Sequence, residues 1–196
     1  FRLTGEQNLI GVYGTSKEEN EAFLYMAEHF KKKNLPVPNV LCVSDDKLFY
    51  LQEDLGDTLL FHAIEKGRIT NSFSEEEKEL LRKTIRLLPA IQFAGADGFD
   101  FNRCYPQAEF NQRSILWDLN YFKYCFLKAT ELDFHELKLE ADFRLFAKDL
   151  TCDEDNPVPE VECFLYRDFQ ARNVMLDHEG NPWFIDYQGG RKGPYY

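Results

Sequence analysis

The sequence predicts a two-lobed α+β chain: a small sheet carrying one helix, then a larger, mainly helical lobe. Three observations predict it. Short β-type runs crowd the first 53 residues around one amphipathic stretch. Residues 75–93, 109–129 and 134–150 repeat apolar side chains at helical spacing. Two short apolar runs late in the chain flank a turn, as the strands of a hairpin do. A length of 196 residues suffices for one substantial domain or two small lobes with a real core.

Phe1-Arg2-Leu3 alternates like a strand, and Asn8–Tyr13 reads as a second one between Gly5 and Gly14. Thr15 or Ser16 is placed to cap the helix that follows, in which Ala22, Phe23, Met26, Ala27 and Phe30 recur on one face. Lys31, Lys32 and Lys33 suit its C-terminus, and Asn34, Pro36 and Pro38 stop it. Val40–Val43 and Leu48–Gln52 form two more strands around the polar turn 44–47. The lobes are expected to join near 52–57, giving divisions at 1–53 and 54–196. Beyond the junction, Ser74 and three acids open a helix that Pro89 should kink or end. Aromatics fill the next helix (Phe110, Trp117, Tyr121, Phe122, Tyr124, Phe126), where helical spacing points to core. An acidic, proline-bearing loop spans 151–160, in which Glu154 and Asp155 read as solvated. A strand is expected over Val161–Tyr166, then a hairpin from Val174–Leu176 and Trp183–Ile185. Trp183 reads as a packing residue.

Composition excludes several classes. Apolar residues make up 44% and aromatics 15%, unlike disordered or collagen-like chains. The formal charge of −11 is a poor match to nucleic acid or an anionic membrane surface. No apolar run approaches the roughly 20 residues of a membrane span. The five cysteines (Cys42, Cys104, Cys125, Cys152, Cys163) form no CxxC pair, which points to reduced thiols in a cytoplasmic setting. His29, His62, His135 and His178 show no ligand spacing and read as surface residues.

The chemistry concentrates in Tyr166-Arg167-Asp168-Phe169-Gln170-Ala171-Arg172-Asn173 and in Asp186. Asp168 and Asn173 bound a short loop that leads into the hairpin, and Asp186 closes its second strand. Three oxygen-bearing side chains thereby converge at one end of the hairpin. Carboxylate and amide oxygens suit Mg²⁺, which takes few protein ligands and completes its shell with phosphates and water. A remaining carboxylate can accept a proton from an incoming hydroxyl. Turn chemistry favours Asp and Asn in loops, but it does not account for two spacings at once. From 167 to 193 four basic residues balance four acidic ones, so this stretch is neutral within an acidic chain.

Asn173 lies five residues after Asp168, the spacing of H-R-D-x-x-x-x-N with Tyr166 in place of His, and Asp186 lies 13 residues further on. The stretch resembles the catalytic loop and metal-binding segment of the protein-kinase-like superfamily. With Ile185-Asp186-Tyr187-Gln188 in place of D-F-G and no A-P-E segment, the chain looks more like the aminoglycoside phosphotransferase and choline kinase branch. It is most similar to bacterial anomeric kinases for N-acetylmuramate and N-acetylglucosamine, which share the RD[FY]xxRN run and an early E-D-L-G-D, here Glu53–Asp57. The resemblance runs from Phe1 to Gly193, with its specific motifs at 53–57 and 166–190.

That resemblance implies a bilobal protein-kinase-like fold and a Mg²⁺-dependent kinase moving the γ-phosphoryl of ATP to a hydroxyl of an amino sugar. Asp168 would orient or deprotonate the hydroxyl, with Arg167 and Arg172 stabilising charge or orienting the loop. Asn173 and Asp186 would hold Mg²⁺. Gln52, Glu53, Asp54 and Leu55 would form the hinge whose backbone meets the adenine. Asp118 and Tyr121, the polar-tipped members of the aromatic helix, are candidate sugar contacts, with Arg172 beside them.

Two departures stand out. NLIGVY carries no lysine where the superfamily has one on the strand before its helix, so Arg2 is the candidate substitute. Glu18, Glu19 or Glu21 could be the helix carboxylate that pairs with such a cation, although acids favour a first turn anyway. The glycine-rich phosphate loop would precede Phe1 and further helices would follow Tyr196, so a longer chain is expected. A cationic acceptor such as an aminoglycoside or choline is the alternative that the −11 charge favours. A nucleotide-binding module without catalysis is the alternative that the missing lysine favours.

Overall fold

The computed structural model describes residues 1–151 and 163–195. Its N-terminal part is a sheet of four antiparallel strands, β1 (Arg2–Leu3), β2 (Leu9–Tyr13), β3 (Val40–Val43) and β4 (Phe49–Glu53), in the order β1-β2-β4-β3. Register runs from Leu9 opposite Glu53 to Tyr13 opposite Phe49, so β4 lies inside the sheet and delivers the chain at Glu53 into the junction.

Between β2 and β3 lies α1 (Lys17–Lys32). Ser16 caps it by accepting the Glu19 N–H, two acids occupy its first turn, and His29, Lys31 and Lys32 occupy its last, as the helix dipole favours. The predicted face of Ala22, Phe23, Met26, Ala27 and Phe30 is buried. It packs on the sheet and also on the C-terminal part of the chain. Phe23 stacks on Tyr50 of β4 at 4.9 Å and on Tyr187 at 5.5 Å. Phe30 meets Phe164 at 5.0 Å, Tyr187 at 5.3 Å and Phe99 at 6.1 Å. One helix stripe therefore holds the sheet and the hairpin region in a common core. His29, expected at the surface, is half-buried instead, its Nε2 2.9 Å from the Gly95 carbonyl, and burial lowers its pKa.

The remainder is mainly helical: α2 (Leu60–Ala63), α3 (Glu65–Thr70), α4 (Glu75–Pro89), α5 (Gln112–Phe122) and α6 (Glu136–Asp149). Ser74 and Glu77 close a reciprocal capping box on α4. Pro89 ends α4, and residues 90–94 continue as one π-turn, because proline offers no N–H to the preceding turn. A second π-turn, 123–127, extends α5. There the fully buried Lys123 reaches Glu140 of α6 at 2.8 Å, which fastens the two helices together. Four short strands complete the fold: β5 (Phe164–Leu165), β6 (Val174–Leu176), β7 (Pro182–Phe184) and β8 (Arg191–Lys192). β6 pairs with β7 as the predicted hairpin, and β5 pairs with β8. Gly190 lets the chain enter β8, since a Cβ there would fall 2.2 Å from the Phe164 ring.

Several expectations shift. Short helices α2 and α3 and strand β8 are additions, each too brief to show a period. The expected strand 161–166 is seen as Phe164–Leu165; Val161, Glu162, Cys152 and the loop with Glu154 and Asp155 lie outside the described residues. The aromatic stripe of 110–126 is not core. Trp117 (65% exposed), Tyr121, Phe122, Tyr124 and Phe126 face outward, Trp117 stacked on Tyr121 and Phe122 on Phe126. Helical spacing defines a stripe without deciding what covers it. Cys42, Cys104, Cys125 and Cys163 are free, and burial pushes the Cys104 and Cys163 thiols up to about 11.

Burial and capping give two stability expectations. Phe30→Ala, in a fully buried aromatic cluster, should cost about 3–5 kcal/mol. Ser74→Ala should cost about 1 kcal/mol. Urea unfolding followed by circular dichroism checks both, and equal effects would contradict the central place given to Phe30.

Candidate active site

The β6–β7 hairpin is the platform. Val174 pairs with Phe184, Met175 with Trp183 and Leu176 with Pro182. Its turn is wound around Asp177, whose carboxylate accepts the N–H groups of Asn181 (2.8 Å) and Glu179 (2.9 Å) and the Trp183 indole N–H (3.3 Å). Those bonds, the Asn181 N–H foremost, hold the Asp177 pKa at about 2. Trp183 is thus a hydrogen-bond donor as well as a packing residue.

At the opposite end the two loops bearing the predicted residues meet. Asn173, 7% exposed, donates from its Nδ2 to the Asp168 carbonyl at 3.0 Å and to Asp186 Oδ2 at 3.1 Å. The Ile185 N–H donates to the Asn173 carbonyl at 3.0 Å. Tyr166, buried where the motif has His, donates its hydroxyl to the Ile185 carbonyl. Burial, then the carboxylates of Asp186 and Asp168, pushes the Tyr166 pKa far up, so this bond keeps its proton. Arg167 and Asp186 both have left-handed backbone, with φ of 66° and 61°, uncommon outside glycine. Gln188 donates to Asp186 Oδ1 at 2.9 Å and fixes the carboxylate from its other side. Asp168 is exposed, and its Oδ2 lies 3.6 Å from the place a Cβ on Gly189 would occupy.

This donor set fits a magnesium ion. The Asn173–Asp186 contact brings an amide and a carboxylate together, two hard oxygen sources that leave the rest of an octahedral shell to phosphates and water. Among the described residues no group of three His, Cys, Asp or Glu side chains is placed to hold a metal.

The remaining predicted residues are placed as follows. Arg167 Nη2 donates to both oxygens of Asp118 at 3.0 Å, so Asp118 anchors the loop to α5. Tyr121 is exposed, stacked on Trp117, and is not among the residues lining the cleft beside Asp118. Arg172 is not brought to that cleft either; its guanidinium lies over the Phe61 ring at 4.4 Å. Arg2 is spent on the junction. It binds Asp54 at 2.6 Å, Asp57 at 2.7 Å and the Gly56 carbonyl at 3.0 Å. Every arm of its fork is thus engaged by that loop. Of the helix acids, Glu21 pairs with Lys47 at 2.8 Å. That pair sits by the start of β4, about four residues or some 13 Å from the junction at its other end.

At the junction the side chains are occupied as well. Glu53 accepts the Asn39 N–H at 2.9 Å, and Asp54 accepts from Arg2 and from the Gly56 N–H at 2.9 Å. Gln52 pairs with Ile10 and Val40 inside the sheet. Leu55 makes no hydrogen bond among the described residues, which leaves its backbone groups open to a ligand.

Beside Asp168 opens a cleft of about 470 Å³ whose walls include Gln107, Arg113, Trp117, Asp118, Arg167 and Arg191. Gln107, Arg113 and Arg191 carry no sequence signal of a site. They come from a loop, a helix start and a two-residue strand that only the fold brings together.

Residues 12–196 match the model of the phosphotransferase enzyme family, and the chain belongs to that family. Choline kinase LicA from Streptococcus pneumoniae superimposes with a TM-score of 0.56 at 14% identity, over 98% of this chain and 60% of that one. The streptomycin–ATP–APH(2")-IIa ternary complex matches at 0.54 and 14% identity, over 100% of this chain and 67% of that one. A thermostable mutant of aminoglycoside phosphotransferase APH(4)-Ia, in a ternary complex with AMP-PNP and hygromycin B, matches at 0.51 and 16% identity, over 100% and 68%. The fold is protein-kinase-like, α+β as expected. The chain spans about 60% of the length of the choline kinase it matches. No curated protein sequence matches it. No helix among the described residues is long and apolar enough to cross a membrane.

The Asp177 bonds carry a pH signature. Its pKa falls from 3.8 to about 2 on folding, so its contribution to stability is present above about pH 4 and is lost as pH falls through 2. Asp177→Asn should flatten the dependence of the unfolding midpoint on pH between 4 and 2. An unaltered slope in the variant would show that other groups control the acid response.

Proposed function

We propose that the chain is the nucleotide-binding and catalytic part of a Mg²⁺-dependent small-molecule kinase that phosphorylates a hydroxyl of an amino sugar. Membership of the phosphotransferase family supports the reaction class. The observation that carries the assignment of roles is the buried Asn173 amide, which ties the Asp168 loop to Asp186. In this reading residues 1–53 are the nucleotide lobe and 54–196 the catalytic lobe. The adenine edge meets the open backbone of Leu55, within the junction formed by Gln52, Glu53, Asp54 and Leu55. ATP is the phosphoryl donor, as in the ATP and AMP-PNP complexes of the structural relatives.

Phosphoryl transfer asks mainly for positioning and charge neutralisation. Asn173 and Asp186 would hold Mg²⁺, which when bound neutralises the charge of the nucleotide phosphates. Asp168, exposed and next in the chain to Arg167 of the cleft wall, accepts the proton of the acceptor hydroxyl as its oxygen bonds to the γ-phosphorus. The bond to the β–γ bridging oxygen breaks, and ADP leaves with that electron pair. Arg167, held by Asp118, keeps the backbone before Asp168 in its left-handed turn. Tyr166 keeps the loop at a fixed distance from Ile185. Arg167 and Tyr166 are thus positioning residues.

The amino-sugar acceptor rests on the RDFQARN and IDYQ motifs. The absence of lysine on β2, with Arg2 committed elsewhere, favours a second reading, nucleotide binding without transfer. One pair of measurements separates the two. Asp168→Asn should lower the transfer rate roughly 10²–10⁴-fold while nucleotide affinity is kept. Asn173→Ala should raise the Mg²⁺ concentration needed for half-maximal rate. ATP binding with no transfer to any hydroxyl acceptor in the unsubstituted protein would establish the second reading.

A further inference from the structure

The cleft beside Asp168 has a charge that neither the chain's overall acidity nor the reaction requires. Its walls carry three guanidiniums, from Arg113, Arg167 and Arg191, against one carboxylate, Asp118. Asp118 is consumed, both oxygens being taken by Arg167. Two cations are left over. Arg191 is 3% exposed, and among the described residues its guanidinium bonds only to the Gly189 carbonyl, from Nε at 3.1 Å and Nη2 at 3.0 Å. No carboxylate among the described residues lies within ion-pair distance of it. Burial, then Arg167, lowers its pKa, and Cys104, Asp118 and Asp168 offset this only in part. Arg113 makes no hydrogen bond or ion pair among the described residues. A buried guanidinium without a counter-ion is costly, and the cost is recovered when an anion arrives with matched geometry. Arginine forks suit a carboxylate or phosphate.

We infer that Arg191 and Arg113 form an anion subsite in the acceptor cleft, so that the acceptor carries a negatively charged substituent besides the hydroxyl it offers to Asp168. The inference rests on the kinase reading above and deepens it. Gly189 links the two places, for its carbonyl holds Arg191 and a Cβ built on it would lie 3.6 Å from Asp168 Oδ2. A sugar with its reacting hydroxyl at Asp168 and an acidic substituent at Arg191 spans that step. A polyamine-like aminoglycoside, or choline, would bring its cation against two guanidiniums that form no ion pair among the described residues.

The test compares acceptors that differ in charge: N-acetylglucosamine (neutral), N-acetylmuramate (the same ring with a lactyl carboxylate), N-acetylglucosamine 6-phosphate and kanamycin. Rates of ADP formation are measured with the whole protein, and binding is read separately from the fluorescence of Trp117 in the cleft wall, with Trp117→Phe as the control. The expected result is a kcat/KM for one of the two anionic sugars higher than for the neutral one by on the order of tenfold or more, the factor for one charge-assisted hydrogen bond. Arg113→Met should reduce that ratio through KM, and Arg191→Lys should restore less of it than the native fork gives. The carboxylate and phosphate arms identify which anion is held.

Equal kcat/KM for neutral and anionic sugars, or a preference for kanamycin, overturns the inference and leaves the kinase reading standing. So does a loss in Arg113→Met that is uniform across all acceptors, since that assigns the arginine to the moving phosphoryl group. Preferential binding of an anionic sugar without transfer supports the subsite and defeats the kinase reading instead.

Discussion

The amide of Asn173 sits where two chain segments must be held in register, and most of the candidate site hangs from it. One nitrogen serves the carbonyl of Asp168 and the carboxylate of Asp186, while the backbone carbonyl of the same residue accepts the Ile185 N–H. An unpaired buried amide would be costly, so the interaction fixes both loops or neither. Around it the same logic recurs. Tyr166 donates to the carbonyl beside Asp186, and Arg167 fastens its own left-handed turn to Asp118. Two non-glycine residues in an unfavourable backbone region persist because their surroundings over-determine them.

From this point the constraint passes outward through aromatic packing. Tyr187 follows Asp186 directly and is buried against Phe23 and Phe30 of α1, its hydroxyl without a hydrogen-bond partner among the described residues. A shift of α1 is therefore felt at Asp186 through ring packing. At the other end of the sheet, Arg2 binds the 54–57 loop with its whole fork. The cation that seemed available for phosphates instead stiffens the junction. The charge map follows the same division. The chain is strongly acidic overall, but the cleft beside Asp168 gathers guanidiniums. Net charge describes the whole surface, and a cleft is decided by the few groups that face it.

Much of this was legible before any coordinates. The cap at Ser16, the stripe from Ala22 to Phe30, the break at Pro89 and the hairpin around 177–182 all follow from local rules of helix and turn chemistry. Asp168, Asn173 and Asp186 were legible through spacing, because a loop of fixed length and a hairpin of fixed length bring their ends together. Tyr121 and Arg172 do not line the cleft beside Arg167, because periodicity and proximity in sequence do not say which way a side chain finally faces. The aromatic helix misled for a related reason. Its residues share a stripe, but burial needs a partner surface, and none of the described residues supplies one for Trp117 to Phe126.

The sequence by itself determined the order of the longer elements and which three side chains, Asp168, Asn173 and Asp186, meet at the end of the hairpin. Each depends on contacts between residues close in the chain, whose geometry the backbone fixes. Only the tertiary structure decided the rest. It committed Arg2 to Asp54 and Asp57, some fifty residues away, set Asp118 against Arg167, and buried Arg191 in the wall that also holds Arg113, with no ion pair among the described residues. Those assignments turn on which distant charges meet, and side chains compete for one another across the whole fold. For that reason the meeting of Asp168, Asn173 and Asp186 could be read from the chain, while the charge of the cleft lined by Arg113, Arg167 and Arg191 had to wait for the fold.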